Sequence, residues 1–155
     1  MDRVVVVKDE WKNQQQMHQD TYFNIILPDL AVLVAERMGM GDAKAVAERR
    51  LTADVYEMDR GAYRKVLDSV DFVSYMTETL GFRLVPVSNE DQLNYGINFL
   101  TIRSNRILGI DGVSDAYKET LRDLGVDATW MDFGNLTGGY GAAHYSTQVL
   151  RREAR

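Results

Sequence analysis

Short runs of apolar and β-branched residues alternate with polar turns along most of the chain, a pattern typical of β-strands. Four consecutive valines within Arg3–Val7 predict a first strand, because branched side chains suit a pleated, buried surface. Two later stretches each consist of two apolar runs around a short polar turn, which is typical of a β-hairpin. These hairpins are predicted at Thr21–Ile26 with Leu30–Val34, and at Asn98–Ile102 with Arg106–Ile110.

The elements after the two hairpins also resemble each other. Apolar residues at helical spacing follow each hairpin, and Ser114 is a favourable N-cap for the second helix. Both helices end at a Leu-Gly pair, whose glycine, Gly81 or Gly125, can adopt the left-handed conformation. Strands resume at Phe82–Val87 and Val126–Phe133. The sequence therefore predicts an α/β fold in which a hairpin, helix and strand unit is repeated.

No linker or low-complexity stretch divides the chain, so we expect a single domain over residues 1–155. The first unit spans about 18–88 and contains an insertion at 36–65, in which Asp54–Met58 is a possible strand; the second unit spans about 97–133. A closing strand is predicted at 146–151. Repeat arrays bury their faces against neighbouring copies and need about three units to be stable, so two units indicate an incomplete array.

Composition excludes several classes of function. The formal charge of −5 gives no electrostatic reason to expect a nucleic-acid partner. No apolar run is long enough to cross a bilayer and the N-terminus lacks the pattern of a secretory signal, so we expect a cytoplasmic protein without a membrane partner. The absence of cysteine excludes a disulfide framework, a thiolate metal site and a cysteine nucleophile. With only two histidines, neither a metal site nor another cofactor is expected.

Two segments carry candidate chemistry. In an extended strand His18 and Asp20 would project from one face, either as an acid/base pair or as a solvated strand end. The glycine-rich stretch 138–141 leads to His144 and Ser146, either as the wall of an active site or as a tight structural turn. Ser146 could act as a nucleophile with His144 or His18 as its base, but the surrounding sequence lacks a nucleophile elbow.

The order of three motifs resembles a known protein family. They are His18-Gln19-Asp20-Thr21 before a hairpin, Asn94-Tyr95-Gly96-Ile97-Asn98 entering a strand, and Gly138-Gly139 continuing to His144-Tyr145-Ser146-Thr147-Gln148. The order is similar to the C-terminal part of the guanidine-modifying, or pentein, superfamily of arginine deiminases and amidinotransferases. The resemblance covers Met17 to about Arg152. It implies a partial α/β-propeller, in which the repeated hairpin, helix and strand units are blades around a central site.

The resemblance also implies roles for individual residues. His18 would be the general acid/base, and Asp20 the carboxylate that holds a substrate guanidinium. Asn98, His144 and the glycine-rich loop with Gly139 and Gly141 would shape the substrate pocket. The family's nucleophile is a cysteine directly after this loop, and Tyr145 occupies the matching position. A phenol with an ordinary pKa near about 10 does not replace a thiolate in attack on an amidine carbon.

The sequence therefore favours a catalytically inactive deiminase-like or amidinotransferase-like subunit. Its role would be to complete or scaffold a propeller, with a protein partner carrying the missing blades or with a second copy of itself. One alternative is a guanidino-group hydrolase or transferase whose nucleophile comes from the partner chain. Another is a binding module for a small guanidino molecule, for which Asp20 is the main support.

Overall fold

Three separate three-stranded sheets organise the residues that the computed structural model describes, which are 2–41, 47–138 and 142–147. The strands are β1 (Arg3–Lys8), β2 (Phe23–Leu27), β3 (Leu30–Val34), β4 (Thr52–Asp59), β5 (Ala62–Asp71), β6 (Arg83–Val87), β7 (Leu100–Arg103), β8 (Arg106–Ile110) and β9 (Asp127–Met131). The first sheet is antiparallel, with the order β1-β4-β5. The other two sheets have the orders β2-β3-β6 and β7-β8-β9.

These two sheets share one topology. In each, an antiparallel hairpin is followed by a strand that pairs in parallel with the second strand of that hairpin, β3 with β6 and β8 with β9. Parallel neighbours need a crossover connection, which contains a helical segment in both cases and, between β3 and β6, the β4-β5 hairpin as well. The fold is therefore mixed α/β, it contains the repeated hairpin, helix and strand unit, and none of the three described sheets closes on itself.

The helical segments with fully described bounds are short. They are α1 (Phe72–Ser74), which continues as a π-helix over Tyr75–Thr79, α2 (Asn89–Leu93), α3 (Asp115–Asp123) and α4 (Gly134–Thr137), with 3₁₀ turns at Gln14–Gln16, Gln19–Thr21 and Ala35–Met38. Ser114 caps α3 by accepting a hydrogen bond from the Tyr117 N–H, as the sequence predicts. Gly81 and Gly125 have φ angles of 73° and 78°, which confirms the predicted left-handed helix ends. Within the described ranges, no helix combines the length and apolarity that crossing a membrane requires.

The core lies where the two similar units meet. Every residue of β3 is buried, and Phe72, Phe99 and Leu121 pack into the same cluster from both units. The Asn24 side chain joins the units, because its Nδ2 donates to the carbonyl oxygens of Ile97 at 2.8 Å and Phe99 at 2.9 Å. This junction holds the segment before β2 beside the segment before β7, and thereby positions the candidate site.

The bounds of several strands differ from the sequence expectation. The proposed insertion at 36–65 ends inside β5, because β4 and β5 form a hairpin that pairs with β1 and runs on to Asp71. The first strands of the two predicted hairpins begin two residues later than expected, at Phe23 and Leu100. The predicted closing strand at 146–151 begins in a turn at Ser146, and its residues 148–151 lie outside the described residues.

Candidate functional site

His18 and Asp20 lie on a single turn rather than on an extended strand, contrary to the sequence expectation. His18 precedes the 3₁₀ turn Gln19–Thr21, and the Thr21 hydroxyl donates to the His18 carbonyl oxygen at 2.6 Å. A threonine hydroxyl that bonds to a nearby backbone carbonyl favours such a turn over a strand. His18 is exposed, whereas the Asp20 side chain is largely buried, with 17% of its surface accessible. The two residues nevertheless line one groove together with His144 and Tyr145.

The Asp20 carboxylate is the centre of the site. Its Oδ2 accepts hydrogen bonds from Asn98 Nδ2 at 2.9 Å and from His144 Nδ1 at 2.5 Å. Its Oδ1 accepts a hydrogen bond from the Tyr145 hydroxyl at 2.8 Å. An ionised carboxylate can only accept hydrogen bonds, so this contact requires the His144 tautomer in which Nδ1 carries a proton. Residues that are 78 to 125 positions apart in the sequence therefore converge on one carboxylate.

The segment that carries His144 and Tyr145 is anchored by small residues. Ala142 and Ala143 are fully buried, and the His144 N–H donates to the Asn98 carbonyl oxygen at 3.4 Å. The Ser146 N–H donates to the Ala142 carbonyl oxygen at 3.0 Å and closes a turn. Alanine permits this close backbone packing because its side chain occupies little space. The segment thus places the two side chains against Asp20 while the Ser146 residue remains exposed.

Tyr145 is held as a protonated hydrogen-bond donor. Partial burial, followed by its hydrogen bond to the Asp20 carboxylate and the charge of that carboxylate, raises the pKa of the Tyr145 phenol above its ordinary value. The His18 ring contacts the Tyr145 ring edge-on, with 5.5 Å between their centroids. The phenol therefore lies between the proposed acid/base histidine and the proposed guanidinium-binding carboxylate.

The groove above these residues is open and has a volume of about 450 Å³. Its lining combines His18, Asp20, His144 and Tyr145 with the apolar residues Phe23 and Ile25. Gly139 and Gly141, which the resemblance places in the pocket, lie outside the described residues. Among the residues with described positions, no group of three or more His, Cys, Asp or Glu side chains is arranged to hold a metal ion.

Sequence reasoning missed two residues that support the site. Arg37 is buried between the rings of Trp11 and Tyr22, and its guanidinium donates to Gln16 and Asp9. It thereby fixes the segment that leads into the His18 turn. The sequence gives no signal for these contacts, because the two hydrogen-bond partners of Arg37 lie 21 and 28 residues away along the chain.

Tyr95 is the second missed residue. It has a φ angle of 60°, and its hydroxyl donates to the Thr137 carbonyl oxygen at 3.0 Å. It therefore ties the segment before Asn98 to the helix that precedes the glycine-rich loop. The Asn94-Tyr95-Gly96 sequence is typical of a turn, so it could have predicted an unusual backbone conformation at this position.

Comparisons with known proteins agree with the motif resemblance. The family model described as arginine deiminase matches residues 1–152. An arginine deiminase of Halobacterium salinarum (strain ATCC 29341 / DSM 671 / R1) is 31% identical over 160 aligned positions, which cover 88% of this chain. The chain spans 30% of the length of that relative. The chain belongs to the arginine deiminase family.

Proposed function

We propose that this chain is a catalytically inactive deiminase-like subunit, which builds an α/β-propeller together with another polypeptide or a second copy of itself. The observation that carries the proposal is the 2.8 Å hydrogen bond from the Tyr145 hydroxyl to Asp20. A phenol stands where the family resemblance puts the cysteine nucleophile. This phenol is bound to the carboxylate that the same resemblance assigns to the guanidinium.

Tyr145 is poorly suited to act as the nucleophile. Attack on an amidine carbon needs a nucleophile that is available as its anion near neutral pH. The Tyr145 environment raises the pKa of the phenol rather than lowering it, because partial burial disfavours the phenolate and because ionisation would put a second negative charge beside Asp20. The sequence has no cysteine that could take its place. We therefore expect no covalent intermediate on this chain.

The Asp20 carboxylate already accepts hydrogen bonds from the protein's own side chains. A guanidinium is recognised best by a carboxylate that accepts two parallel hydrogen bonds, one at each oxygen. Tyr145 already donates to Oδ1, while Asn98 and His144 donate to Oδ2. A guanidinium would have to displace at least one of these donors, so the groove favours its own side chains over the substrate.

The assembly part of the proposal rests on the open sheets. The described sheets β2-β3-β6 and β7-β8-β9 each end in edge strands, and an uncovered edge favours association with further strands. The two similar units already pack side by side through Asn24, as neighbouring blades would. The proposal assigns the remaining blades of the ring to a partner of the same architecture.

An active guanidino-group hydrolase or transferase is the second candidate. His18 and Asp20 support it, because they line one open groove and could serve as acid/base and substrate carboxylate. In that case, a partner chain would have to supply the nucleophile. A module that binds guanidino compounds without turnover would use the same carboxylate.

The hypothesis of an active enzyme is tested by incubating the purified chain with arginine or agmatine and measuring citrulline, urea and ammonia. We expect no product above the level of a protein-free control. A His18→Ala variant is the matched control, since it removes the only assigned acid/base group while leaving the Asp20 hydrogen bonds in place. Turnover that His18→Ala abolishes would refute the proposed inactivity.

Assembly is tested separately by size-exclusion chromatography with mass detection. We expect a mass above that of one 17.6 kDa chain, either for a homo-oligomer of the purified chain or for a complex with a second polypeptide that co-purifies with it. A stable monomer that recruits no second chain would contradict the propeller assembly without affecting the question of activity.

A further inference from the structure

The Asp20 carboxylate and the His144 imidazole form a pair that engages only one of the two ring nitrogens. His144 Nδ1 lies 2.5 Å from Asp20 Oδ2. Within the part of the chain that the structure describes, no residue forms a hydrogen bond with His144 Nε2. Because Nδ1 carries the proton in this contact, Nε2 of the neutral ring keeps its lone pair. The pair therefore presents a proton acceptor that a carboxylate orients, which is the arrangement of a general base.

The unengaged nitrogen of His144 belongs to the exposed side of the ring. The His144 side chain is 50% exposed, whereas the Asp20 side chain at its Nδ1 edge is only 17% exposed. The imidazole ring is rigid and planar, so the edge that carries Nε2 lies away from Asp20. His144 lines both the groove of about 450 Å³ over Asp20 and a neighbouring groove of about 420 Å³ between β2 and β7. A ligand in these grooves therefore approaches Nε2 from solvent.

His18, the acid/base residue that the family resemblance implies, lacks this support. Its ring contacts the Tyr145 ring edge-on. Among the residues with described positions, none forms a hydrogen bond with the His18 ring, and no carboxylate orients it. Neither of its nitrogens is thus fixed as donor or acceptor. His144 is the better oriented base of the two histidines that line the groove.

The lining of the groove over Asp20 favours a neutral substrate. None of the described lining residues is a Lys or Arg, and one of them is the Asp20 carboxylate, so an anionic ester would meet repulsion without a counter-charge. A guanidinium would have to displace a donor that Asp20 already holds. Phe23 and Ile25 add an apolar wall to the groove. These features suit an uncharged compound with a small apolar acyl group.

We infer that His144 is the general base of a hydrolytic activity towards small neutral acyl esters, and that Asp20 is the residue that positions it. His144 Nε2 takes a proton from a water molecule, and the water oxygen forms a bond to the ester carbonyl carbon. When the tetrahedral adduct collapses, the bond between this carbon and the alcohol oxygen breaks, and the proton on Nε2 passes to the departing oxygen. The acid and the alcohol are then released.

The inferred activity goes beyond the proposed function and does not depend on it. The proposed inactivity concerns guanidino substrates and the lack of a nucleophilic side chain at Tyr145. In ester hydrolysis by this pair, water is the nucleophile and the sole co-reactant, so no side chain forms a covalent bond. The bulky phenol at Tyr145 is therefore compatible with it.

Hydrolysis of para-nitrophenyl acetate by the full chain tests the activity, with the release of nitrophenolate followed by absorbance at about pH 8, where an ordinary histidine is neutral. We expect saturable turnover that exceeds that of His144→Ala about a hundredfold, which is typical of a positioned general base. Asp20→Asn should lower kcat at least about tenfold with little change in KM, because the tautomer is no longer fixed. A parent rate no higher than that of free imidazole at the same concentration would overturn the inference. A loss with His18→Ala as large as with His144→Ala would also overturn it.

Two further measurements distinguish base catalysis from a structural effect of these substitutions. Imidazole added to His144→Gly should restore part of the turnover, because it can occupy the space of the missing ring; a failure to restore it would count against the base. NMR of ¹⁵N-labelled histidine should show the proton of His144 on Nδ1 in the parent chain and a mixture of tautomers in Asp20→Asn.

The NMR measurement does not require turnover, so it tests the pair even in a slow enzyme. A parent chain with the proton on Nε2, or an acetyl adduct on His144 detected by mass spectrometry, would refute the general-base step. The outcome is distinguishable from that of the arginine assay. Absence of ester hydrolysis refutes the inferred activity alone, whereas turnover of arginine refutes the proposed inactivity alone.

Discussion

The hydrogen bond between Tyr145 and Asp20 predicts a measurable coupling between these two residues. Bonds from a neutral donor to a charged acceptor contribute about 1.5–3 kcal/mol when they are well buried. The Tyr145 residue is 42% exposed, so solvent competes for both partners and reduces the expected coupling to about 1 kcal/mol. Tyr145→Phe removes only the hydroxyl and keeps the ring against His18.

A double-mutant cycle measures this coupling. The free energy of unfolding is determined by urea denaturation at pH 7 for the parent chain, Tyr145→Phe, Asp20→Ala and the double variant. The sum of the two single effects should exceed the effect of the double variant by about 1 kcal/mol, whereas the effects of independent sites add within about 0.3–0.5 kcal/mol. Tyr56→Phe with Asp20→Ala is the control pair, because Tyr56 lies on β4 next to Lys65. Strict additivity for Tyr145 and Asp20 would refute the carboxylate-bound phenol.

Two further predictions concern carboxylates outside the site. Asp91→Ala is expected to lower the free energy of unfolding by about 3 kcal/mol, because this buried carboxylate accepts hydrogen bonds from the Ser88 hydroxyl and from both the N–H and the hydroxyl of Ser114. Urea denaturation measures this loss, and a loss no larger than that of Ser88→Ala would contradict the prediction. The second prediction concerns Asp54, whose pKa is held well below its usual range by hydrogen bonds from Lys65, then from Lys8 and the Ser69 N–H. The stability that it contributes is present above the unfolded pKa of about 3.9 and is lost as the pH falls further, so Asp54→Asn should flatten the acid-denaturation profile below about pH 4. Parallel profiles of variant and parent would exclude that role.

Much of the fold could be predicted because local signals agreed with the tertiary structure. The hairpin around Pro28 and the helix ends at Gly81 and Gly125 each depend on a few neighbouring residues. The strand β5 could not be predicted in the same way. Its residues 62–69 are all exposed, so neither face shows an apolar period of two. Apolar spacing likewise predicts an ordinary helix after Phe72, because it does not distinguish an α-helix from the π-helix that the structure contains.

The motif order predicts that the candidate residues lie close together, but it does not predict the geometry of their contacts. Motif order brought His18, Asp20, Asn98 and Tyr145 together, and the structure joins the last three by hydrogen bonds. The donation by Tyr145 to Asp20 spans 125 positions and depends on how the two units pack, which no local pattern encodes. The Asn98 Oδ1, which has no hydrogen-bond partner within the part of the chain that the structure describes, could not be predicted for the same reason.

The ionisation of Tyr145 is the most direct test of the claim that it is a carboxylate-bound donor rather than an activated nucleophile. Tyrosine labelled with ¹³C at Cζ reports the ionisation of each phenol by NMR, and Tyr145→Phe assigns the signal. Because burial and the Asp20 carboxylate raise the pKa of Tyr145, its signal should begin to shift only above the ordinary value of about 10, and Asp20→Ala should bring the transition back towards that value. A Tyr145 signal that titrates well below about 10 in the parent chain would contradict the account, since it would reveal a phenolate prepared for nucleophilic attack.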